Sequence, residues 1–335
     1  MTGALEGIRV IDSTIARSGP TCSRQLADLG ADVLVVGRAD VSLGRSDDWN
    51  LLRNKRFLAL DLKEDAGRAR LLDLVDEADV FLENWRPGVK HRLGVGPDEL
   101  LARNPRLVYG SISGFGQTGP YAARPGVDQI AQGMGGLMAV TGPPGTGPWR
   151  AGIAVCDLTA GTLLAQGVLA ALFARERTGR GQWVHTSLLE AAIHLLDFQA
   201  TRWLIDGVDP QQEGNNHPTI PAMGMFPTAD SHINLGVLSG FDRFAELVGR
   251  PGLDVADLAD LMWTRTTQEW LDLLASAFPA GPVLRVSEVF ADPQVRHLGM
   301  TETVAGPDGS PIEVLRHPVT LSDTPASIRT GVPRP

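Results

Sequence analysis

The sequence predicts a mixed α/β protein with a Rossmann-like large domain, built on a parallel sheet, and a smaller α+β domain. Short runs of β-branched residues alternate with helical patterns through the first 113 residues. A stretch rich in Gly, Pro and Asn interrupts the chain at 206–220. With 335 residues, of which 43% are hydrophobic, the chain is long enough to form two compact units.

The N-terminal part reads as a strand, a helix and a second strand. "GIRVIDST" is the first strand, "TCSRQLADLG" is a helix closed by Gly30, and "DVLVV" is the next strand. The alternation then continues through "RFLALDL", "KEDAGRARLLDLVDEA", "DVFLEN", "PDELLARNP" and "RLVYGSIS". This order predicts parallel strands joined by crossover helices. Because the first turn lacks G-x-G-x-x-G, no bound dinucleotide is predicted there.

The remaining sequence defines the domain bounds. Residues 1–205 are predicted to form the large domain, largely helical after 128 with a strand at "QWVHTSL". A linker at 206–220 leads to a small domain at 221–305, which holds a strand at "SHINLGVL" and two helices. Residues 306–335 are predicted to return to the large domain, and "TETVAGPDGSPIEVLRHP" is typical of a β-hairpin turning at "PDG".

Charge and cysteine content exclude several classes of function. The net charge of −9 predicts neither a nucleic-acid partner nor an anionic membrane surface as partner. The two cysteines, Cys22 and Cys156, predict no metal site and no disulfide framework. The sequence has no charged start leading into an apolar core and no run of 18 apolar residues. We therefore expect a cytoplasmic protein without a membrane span.

One acidic residue stands at the start of the longest helical pattern. Periodicity begins just after Asp157 and ends at Gly179, so Asp157 is predicted to be the N-cap of this helix. The carboxylate could simply cap the helix. Alternatively, the positive end of the helix could keep it ionised and able to attack an activated acyl group. Position alone leaves both interpretations open.

Several segments spread across most of the chain match a known family pattern. They include "LADLGADVLVV", "NKRFLALDLK", "ADVFLENWRPGV", "NPRLVYGSISGFGQTGP", "VDQIAQGMGGLMAVTG", "DLTAG" and "ALFARERTGRGQWVHTSLLEA". Each segment is weak alone, but their order and spacing are specific. With these segments the chain resembles the family III CoA-transferases, which include formyl-CoA and carnitine-CoA transferases and are related to α-methylacyl-CoA racemases.

The resemblance implies an activity and a mechanism. CoA would move from an acyl-CoA donor to a carboxylic acid acceptor, with acyl-CoA as substrate and no permanently bound cofactor. Asp157 would be the nucleophile, forming an aspartyl anhydride and then an aspartyl-CoA thioester. Backbone N–H groups at the helix start are expected to stabilise the oxyanions. The resemblance also implies an interlocked homodimer.

The resemblance places the CoA site along the first domain. It implies cofactor contacts from the residues that follow the strands and from those that line the adenine pocket: Ala16, Arg17, Arg38, Leu60, Leu62, Asn84, Trp85, Arg86, Arg92 and Val127. The residue types alone leave plainer roles open. Leu60 and Leu62 could be core residues of a strand, and Arg92 could be a solvated helix arginine.

The sequence departs from the family pattern at several positions. Val127 stands where many relatives have Tyr and the racemases have His, and valine cannot exchange a proton. This favours a transferase over a racemase. Gly37 replaces an acidic residue, and "GNNHPTIP", with Asn215 and His217, stands where some relatives have a glycine lid. A racemase or epimerase and a non-catalytic CoA-binding homologue remain the alternatives.

Overall fold

The computed structural model describes residues 3–38, 46–306 and 308–333, which divide into two compact units. The first contains the described residues of Met1–Leu137, Arg150–Gly207 and Gly299–Pro335, and the second contains Met138–Trp149 and Val208–Leu298. These bounds differ from the predicted ones at Met138–Trp149 and at the end of the small domain, which was predicted at 305 and lies at Leu298. The segment Met138–Trp149 joins the second unit because Gly214 N donates to Gly142 O over 2.9 Å and Gln212 Nε2 donates to Thr141 O over 2.6 Å.

The first unit is built on a six-stranded parallel sheet. Its strands are β1 (Arg9–Asp12), β2 (Asp32–Gly37), β3 (Lys55–Ala59), β4 (Val80–Glu83), β5 (Val108–Ser113) and β6 (Trp183–Ser187). Their spatial order is β3-β2-β1-β4-β5-β6, so the winding direction reverses between β1 and β4. This is the Rossmann order, and it confirms the predicted fold class.

Helices cover both faces of this sheet. They are α1 (Ser18–Asp28), α2 (Ser46–Leu51), α3 (Asp65–Asp76), α4 (Pro87–Arg92), α5 (Pro97–Arg103), α6 (Asp128–Met134), α8 (Val155–Thr178), α9 (Leu188–His194) and α10 (Phe198–Asp206). Consecutive residues of a strand pack into the hydrophobic cores on opposite faces of the sheet. Val80 and Val108 belong to one core, and Phe81 and Tyr109 belong to the other. Because side chains alternate along a strand, two buried faces require near-continuous apolar strands, as observed.

α8 is the central helix of the first unit. It is long and apolar enough to cross a membrane by length and composition. Its side chains Ala160, Leu164 and Val168 are instead buried in the protein core, among residues of α1, α9 and the sheet. The helix ends as predicted at Gly179, whose φ of 69° suits glycine.

The second unit has its own core. Its strands β7 (Met223–Pro227), β8 (His232–Gly236) and β9 (Ala280–Pro282) form an antiparallel sheet. Its helices are α7 (Leu137–Val140, which begins at the last residue of a first-unit segment), α11 (Phe241–Leu247), a 3₁₀ turn (Val255–Asp257), α12 (Leu258–Met262), α13 (Thr267–Leu274), α14 (Val286–Val289) and α15 (Pro293–Leu298). Trp270, fully buried, packs in this core and donates its indole N–H to Met262 O over 2.7 Å.

The C-terminal segment is bound to the first unit. β10 (Thr301–Ala305) and β11 (Pro311–Leu315) form the predicted hairpin, although Pro307 in the expected turn lies outside the described residues. Further on, Asn54 Oδ1 accepts the N–H groups of Arg329 (2.6 Å) and Thr330 (3.0 Å). Asn54 Nδ2 donates to Ser327 O over 2.8 Å. One side chain thus holds three residues of the returning chain.

Close packing of α1 against α8 depends on Gly161. A Cβ at this position would lie 2.4 Å from Ser18 O and 2.8 Å from Thr21 Cβ. These are backbone and side-chain atoms of α1 that face α8, so α1 can approach only because the side chain is missing.

We expect Gly161→Ala to lower the free energy of unfolding by about 1–3 kcal/mol, because α1 and α8 must separate to admit the methyl group. Urea unfolding followed by circular dichroism measures the effect. Gly152→Ala is the matched control, since a Cβ there meets no atom within 4 Å. An equal loss in both variants would contradict this account of the helix contact.

Candidate active site

A cavity opens where the sheet reverses its winding. Its volume is about 690 Å³, and its lining includes Ser13, Thr14 and Ala16 after β1, Gly37 and Arg38 at the end of β2, and Trp85 after β4. In open α/β sheets, ligands bind in the crevice at the carboxyl ends of the strands, at this reversal point. The cavity therefore has the position expected of a substrate site.

The cavity brings together six of the residues implied as CoA contacts. They are Ala16, Arg38, Leu60, Leu62, Trp85 and Arg92. Leu60 and Leu62 also pack against the sheet core, so their two predicted roles are compatible. Lys63, which the sequence analysis did not single out, lines the cavity as well. Arg17, Asn84, Arg86 and Val127 are not among its lining residues.

Asn84 acts as a clamp on the loop between β1 and α1. Its Oδ1 accepts the N–H of Ile15 over 2.9 Å, and its Nδ2 donates to Ile15 O over 2.7 Å. The next residue, Ala16, has φ 62°, a conformation that non-glycine residues rarely adopt. The Asn84 side chain therefore shapes the cavity loop through the backbone.

Arg17 forms an ion pair with one carboxylate and acts electrostatically on a second. Its Nη2 lies 2.5 Å from Asp47 Oδ2 in α2, and its charge also acts on Asp157. Arg86 is the N-cap residue of α4, and Val127, 61% exposed, is the N-cap residue of α6. The roles of these three residues toward CoA remain predictions.

Asp157 is the third residue of α8, so its predicted position as N-cap is wrong. The N-cap is Ala154, with φ −78° and ψ 67°, and it provides no side-chain cap. The helix begins earlier because Asp128, in α6, supplies a carboxylate to its first turn. The Asp157 side chain is partly buried, so it is not sealed inside the core.

The backbone N–H groups at the start of α8 already have acceptors. They are Val155 N to Ile153 O (2.9 Å), Cys156 N and Asp157 N to Asp128 Oδ1 (2.8 and 3.3 Å), and Leu158 N to Ala154 O (3.0 Å). The expectation that these groups stabilise oxyanions is therefore wrong. A helix start can bind an anion only through N–H groups that lack other acceptors.

The environment of Asp157 makes its carboxylate unusually basic. Burial, followed by the nearby charge of Asp128, raises the pKa of Asp157 to about 6, while Arg17 and a hydrogen bond from Ser18 act to lower that pKa. Asp157 is thus ionised at neutral pH. Ser18 Oγ also accepts a long hydrogen bond from Asn84 Nδ2, over 3.5 Å. Ser18 therefore links the cavity loop to Asp157.

Asp128 and Gln132 are the site residues that sequence reasoning missed. The available signal was an acidic residue opening a helical pattern in "VDQIAQ", with glutamine four residues later on the same helix face. Nothing in this spacing shows that the pair binds the start of a different helix.

The predicted loop residues Asn215 and His217 lie in the second unit and have local contacts. Asn215 Nδ2 is 3.6 Å from Met225 Sδ, and His217 Nδ1 accepts the N–H of Thr219 over 3.2 Å. Within the described part of the chain, no group of three His, Cys, Asp or Glu side chains is arranged to hold a metal ion. Cys22 and Cys156 are both free and buried.

Comparison with known proteins defines the class. The family model of CoA-transferase family III matches residues 5–335, so the chain belongs to this family. Succinate–glutarate CoA-transferase of Agrobacterium fabrum is 36% identical over 98% of this chain and 92% of its own length. Succinyl-CoA:mesaconate CoA-transferase of Haloarcula hispanica is 33% identical over 99% of this chain and 92% of its own length.

Solved structures agree with this assignment. A CAIB/BAIF family protein from Brucella suis is 31% identical with a TM-score of 0.87, covering 100% of this chain and 97% of its own. Rv3272 from Mycobacterium tuberculosis is 28% identical with a TM-score of 0.88, covering 99% of this chain and 97% of its own. The protein is therefore a CoA-transferase of family III. The racemase and non-catalytic alternatives are not favoured.

We expect Asp157→Asn to stabilise the protein at neutral pH. The folded-state pKa of about 6 lies above the ordinary value of 3.8, so the folded state binds the proton more tightly than the unfolded chain. Wild-type stability should therefore fall as pH rises from about 4 to 6, whereas asparagine does not titrate. The gain should be about 1–2 kcal/mol at pH 7.5 and nearly absent at about pH 4, allowing for partial exposure.

Urea unfolding at the two pH values measures this difference. Asp76→Asn is the control, because the pKa of Asp76 is shifted in the opposite direction from that of Asp157. A hydrogen bond from Arg103 lowers the pKa of Asp76. That substitution should give no gain at neutral pH. A pH-independent effect of Asp157→Asn would show that the Asp157 carboxylate is not strained by its surroundings.

Proposed function

We propose that this enzyme moves CoA from an acyl-CoA donor to a carboxylic acid acceptor with Asp157 as the covalent nucleophile. One observation carries the proposal. A partly exposed carboxylate in the first turn of α8, whose pKa is raised to about 6 by burial and then by Asp128, lies close to Ser18, which follows the loop that lines the cavity. A covalent nucleophile divides a difficult exchange into easier steps.

The first half-reaction would attach CoA to the enzyme. An oxygen of Asp157 attacks the thioester carbon of the donor, the C–S bond breaks, and CoA leaves as a thiolate. The product is a mixed anhydride. The thiolate then attacks the aspartyl carbonyl carbon, which forms an enzyme-CoA thioester and releases the donor acid. The donor acid keeps the oxygen that Asp157 supplied.

The second half-reaction would run the same steps in reverse with the acceptor. The acceptor carboxylate attacks the aspartyl thioester and displaces CoA thiolate, so a new anhydride forms. The thiolate attacks the acyl carbon of the acceptor and releases Asp157 as a carboxylate. Each step exchanges one acyl bond for another, so no external oxidant, reductant or water is required.

The cavity supports this proposal by its chemistry. Leu60 and Leu62 offer an apolar surface suited to an adenine ring. Arg38, Lys63 and Arg92 offer positive charge suited to phosphate groups. In the proposal CoA lies along the cavity, with its thioester end directed past Ala16 and Ser18 toward Asp157.

The choice of substrates to assay follows from the relatives. The two relatives described above are named for exchange between succinate and glutarate and between succinyl-CoA and mesaconate. We propose short dicarboxylic acids as acceptors and succinyl-CoA as the first donor to test. We also propose that two subunits form the interlocked homodimer, which the exposure of Trp203 (57%), Leu204 (77%) and Ile205 (79%) on α10 supports.

The decisive variant is Asp157→Asn. The amide has nearly the same shape, so the fold should persist, but it cannot form the anhydride. We expect transfer of CoA from succinyl-CoA to glutarate to fall by at least about 1,000-fold. Chromatography of the CoA esters measures transfer.

Two further measurements make the result specific. Calorimetry should show CoA binding to Asp157→Asn within a few-fold of the wild type, because the cavity is unchanged. Wild-type enzyme treated with succinyl-CoA and then hydroxylamine should yield a modified peptide containing Asp157. Full transfer activity in Asp157→Asn would overturn the assignment.

A further inference from the structure

Asp128 is a buried acidic residue to which the mechanism above gives no role. It is the first residue of α6 and is 8% exposed. Its Oδ1 accepts the N–H of Cys156 over 2.8 Å and that of Asp157 over 3.3 Å. The α8 N-cap, Ala154, cannot supply a side-chain cap, so the cap of the catalytic helix comes from another helix.

Gln132 completes this arrangement from the next turn of α6. It is fully buried, and its Nε2 donates to Asp128 Oδ2 over 2.6 Å and to Ile153 O over 3.3 Å. Its Oε1 accepts the N–H of Ala151 over 2.8 Å. Gln132 thus fixes Asp128 and also binds the chain that leads into α8.

The two side chains hold the backbone before the nucleophile at four points. These are the N–H of Ala151, the carbonyl of Ile153 and the N–H groups of Cys156 and Asp157. Buried hydrogen bonds to a charged group are stronger than neutral ones, and removing one partner leaves the others unsatisfied. A segment bound in this way cannot shift without breaking several such bonds.

We propose that Asp128, held by Gln132, is a positioning residue that fixes the first turn of α8 and with it the attacking carboxylate of Asp157. The proposal rests on the function proposed for Asp157. A displacement of about 1 Å at a reacting group can reduce a rate by about 100-fold, so a fixed first turn matters for catalysis.

Asp128 has a second, electrostatic effect on Asp157. The charged and titratable groups acting on that carboxylate are Arg17 beside α1, Asp128 in α6 and the buried thiol of Cys156, which stays neutral because its pKa is raised to about 12. Asp128 raises the pKa of Asp157, whereas Arg17 lowers it. Asp128 therefore makes the attacking oxygen more basic, and a more basic carboxylate is a better nucleophile.

The experiment measures the first half-reaction alone. Enzyme is mixed with succinyl-CoA without acceptor, quenched, and analysed by mass spectrometry for the Asp157 adduct between pH 4.5 and 8. For the wild type we expect adduct formation to increase with pH around a midpoint of about 6. The variants are Asp128→Ala, Asp128→Asn and the exchange pair Asp128→Asn with Gln132→Glu.

The variants separate position from charge. Asp128→Ala should slow adduct formation by at least about 10-fold and lower the midpoint, while the succinyl-CoA concentration that gives half the maximal rate of adduct formation changes less than about threefold. In Asp128→Asn the new side-chain NH₂ group faces Gln132 Nε2, so two donors oppose each other and their hydrogen bond is lost. This variant should therefore show the same slower rate and lower midpoint as Asp128→Ala. The exchange pair keeps acceptors for Cys156 N and Ala151 N, a hydrogen bond between the two exchanged side chains and the total charge. It loses only the long bond to Ile153 O, so it should recover much of the rate.

Ser187→Ala is the matched control for stability. Ser187 is buried, and its hydroxyl caps α9 by accepting the N–H of Glu190 over 3.1 Å. Its hydroxyl bonds Glu190 in α9, so its loss removes a helix cap from the same unit while the hydrogen bonds at the start of α8 remain. It should keep the wild-type rate within about twofold, with the same pH midpoint.

The outcomes distinguish the two proposals. If Asp128→Asn and Asp128→Ala react at the Ser187→Ala rate with an unmoved midpoint, Asp128 is a structural residue only and this inference fails. If the wild type forms no adduct at Asp157, the proposed function itself fails. If Asp128→Ala does not fold, Asp128→Asn and the exchange pair still decide the question, because both preserve the shape of the side chain.

Discussion

The close contact between the starts of α1 and α8 is the constraint on which the site depends. α1 begins directly after the cavity loop, and α8 begins directly before Asp157. Because Gly161 has no side chain, the backbone of Ser18 can approach α8, and its hydroxyl can reach Asp157. Two elements distant in sequence therefore bring Ser18, which follows the cavity loop, close to Asp157, although Asp157 itself does not line the cavity.

Buried ion pairs keep the N-terminal strands and α1 in register with this contact. Lys55 Nζ, on β3, lies 3.1 Å from Asp12 Oδ2 at the end of β1 and donates to Ser23 Oγ in α1 over 2.7 Å. Burial lowers the pKa of Lys55, and Asp12 opposes that shift. Breaking such a pair leaves an uncompensated buried charge, typically at a cost of about 3–5 kcal/mol. The position of α1 is thus fixed by the buried contacts of Lys55 with Asp12 and Ser23, and by the packing of α1 against Gly161 of α8.

A similar pair supports the other wall of the cavity region. Lys90 Nζ, in α4, donates to Glu83 Oε1 at the end of β4 over 2.8 Å, and both side chains are buried. The N–H of Trp85 donates to Glu83 Oε2 over 2.8 Å, which holds a cavity-lining residue at the strand end. The strands thus end in charged groups that fix the loops, while the loops present their backbone and side chains to the cavity.

Local patterns in the sequence predicted the parallel sheet, because its strands are continuous β-branched runs with helices between them. β7 and β9 were missed, since "MGMFP" and "AGP" carry glycine and proline and become strands only by pairing with β8. The start of α8 was misplaced because its cap comes from Asp128, 29 residues before Asp157. Asn84 was predicted to contact the cofactor, and that role stays a prediction; its hydrogen bonds to Ile15 were not predictable because they depend on the folded loop.

The most direct test of the central claim follows oxygen atoms through turnover. In the proposed mechanism one carboxylate oxygen of the acceptor becomes an oxygen of Asp157. Wild-type enzyme turning over succinyl-CoA with ¹⁸O-labelled glutarate should therefore show ¹⁸O in the peptide that contains Asp157, detected by its increased mass. If labelled glutaryl-CoA accumulates while Asp157 gains no ¹⁸O, Asp157 is not the nucleophile and the account is wrong.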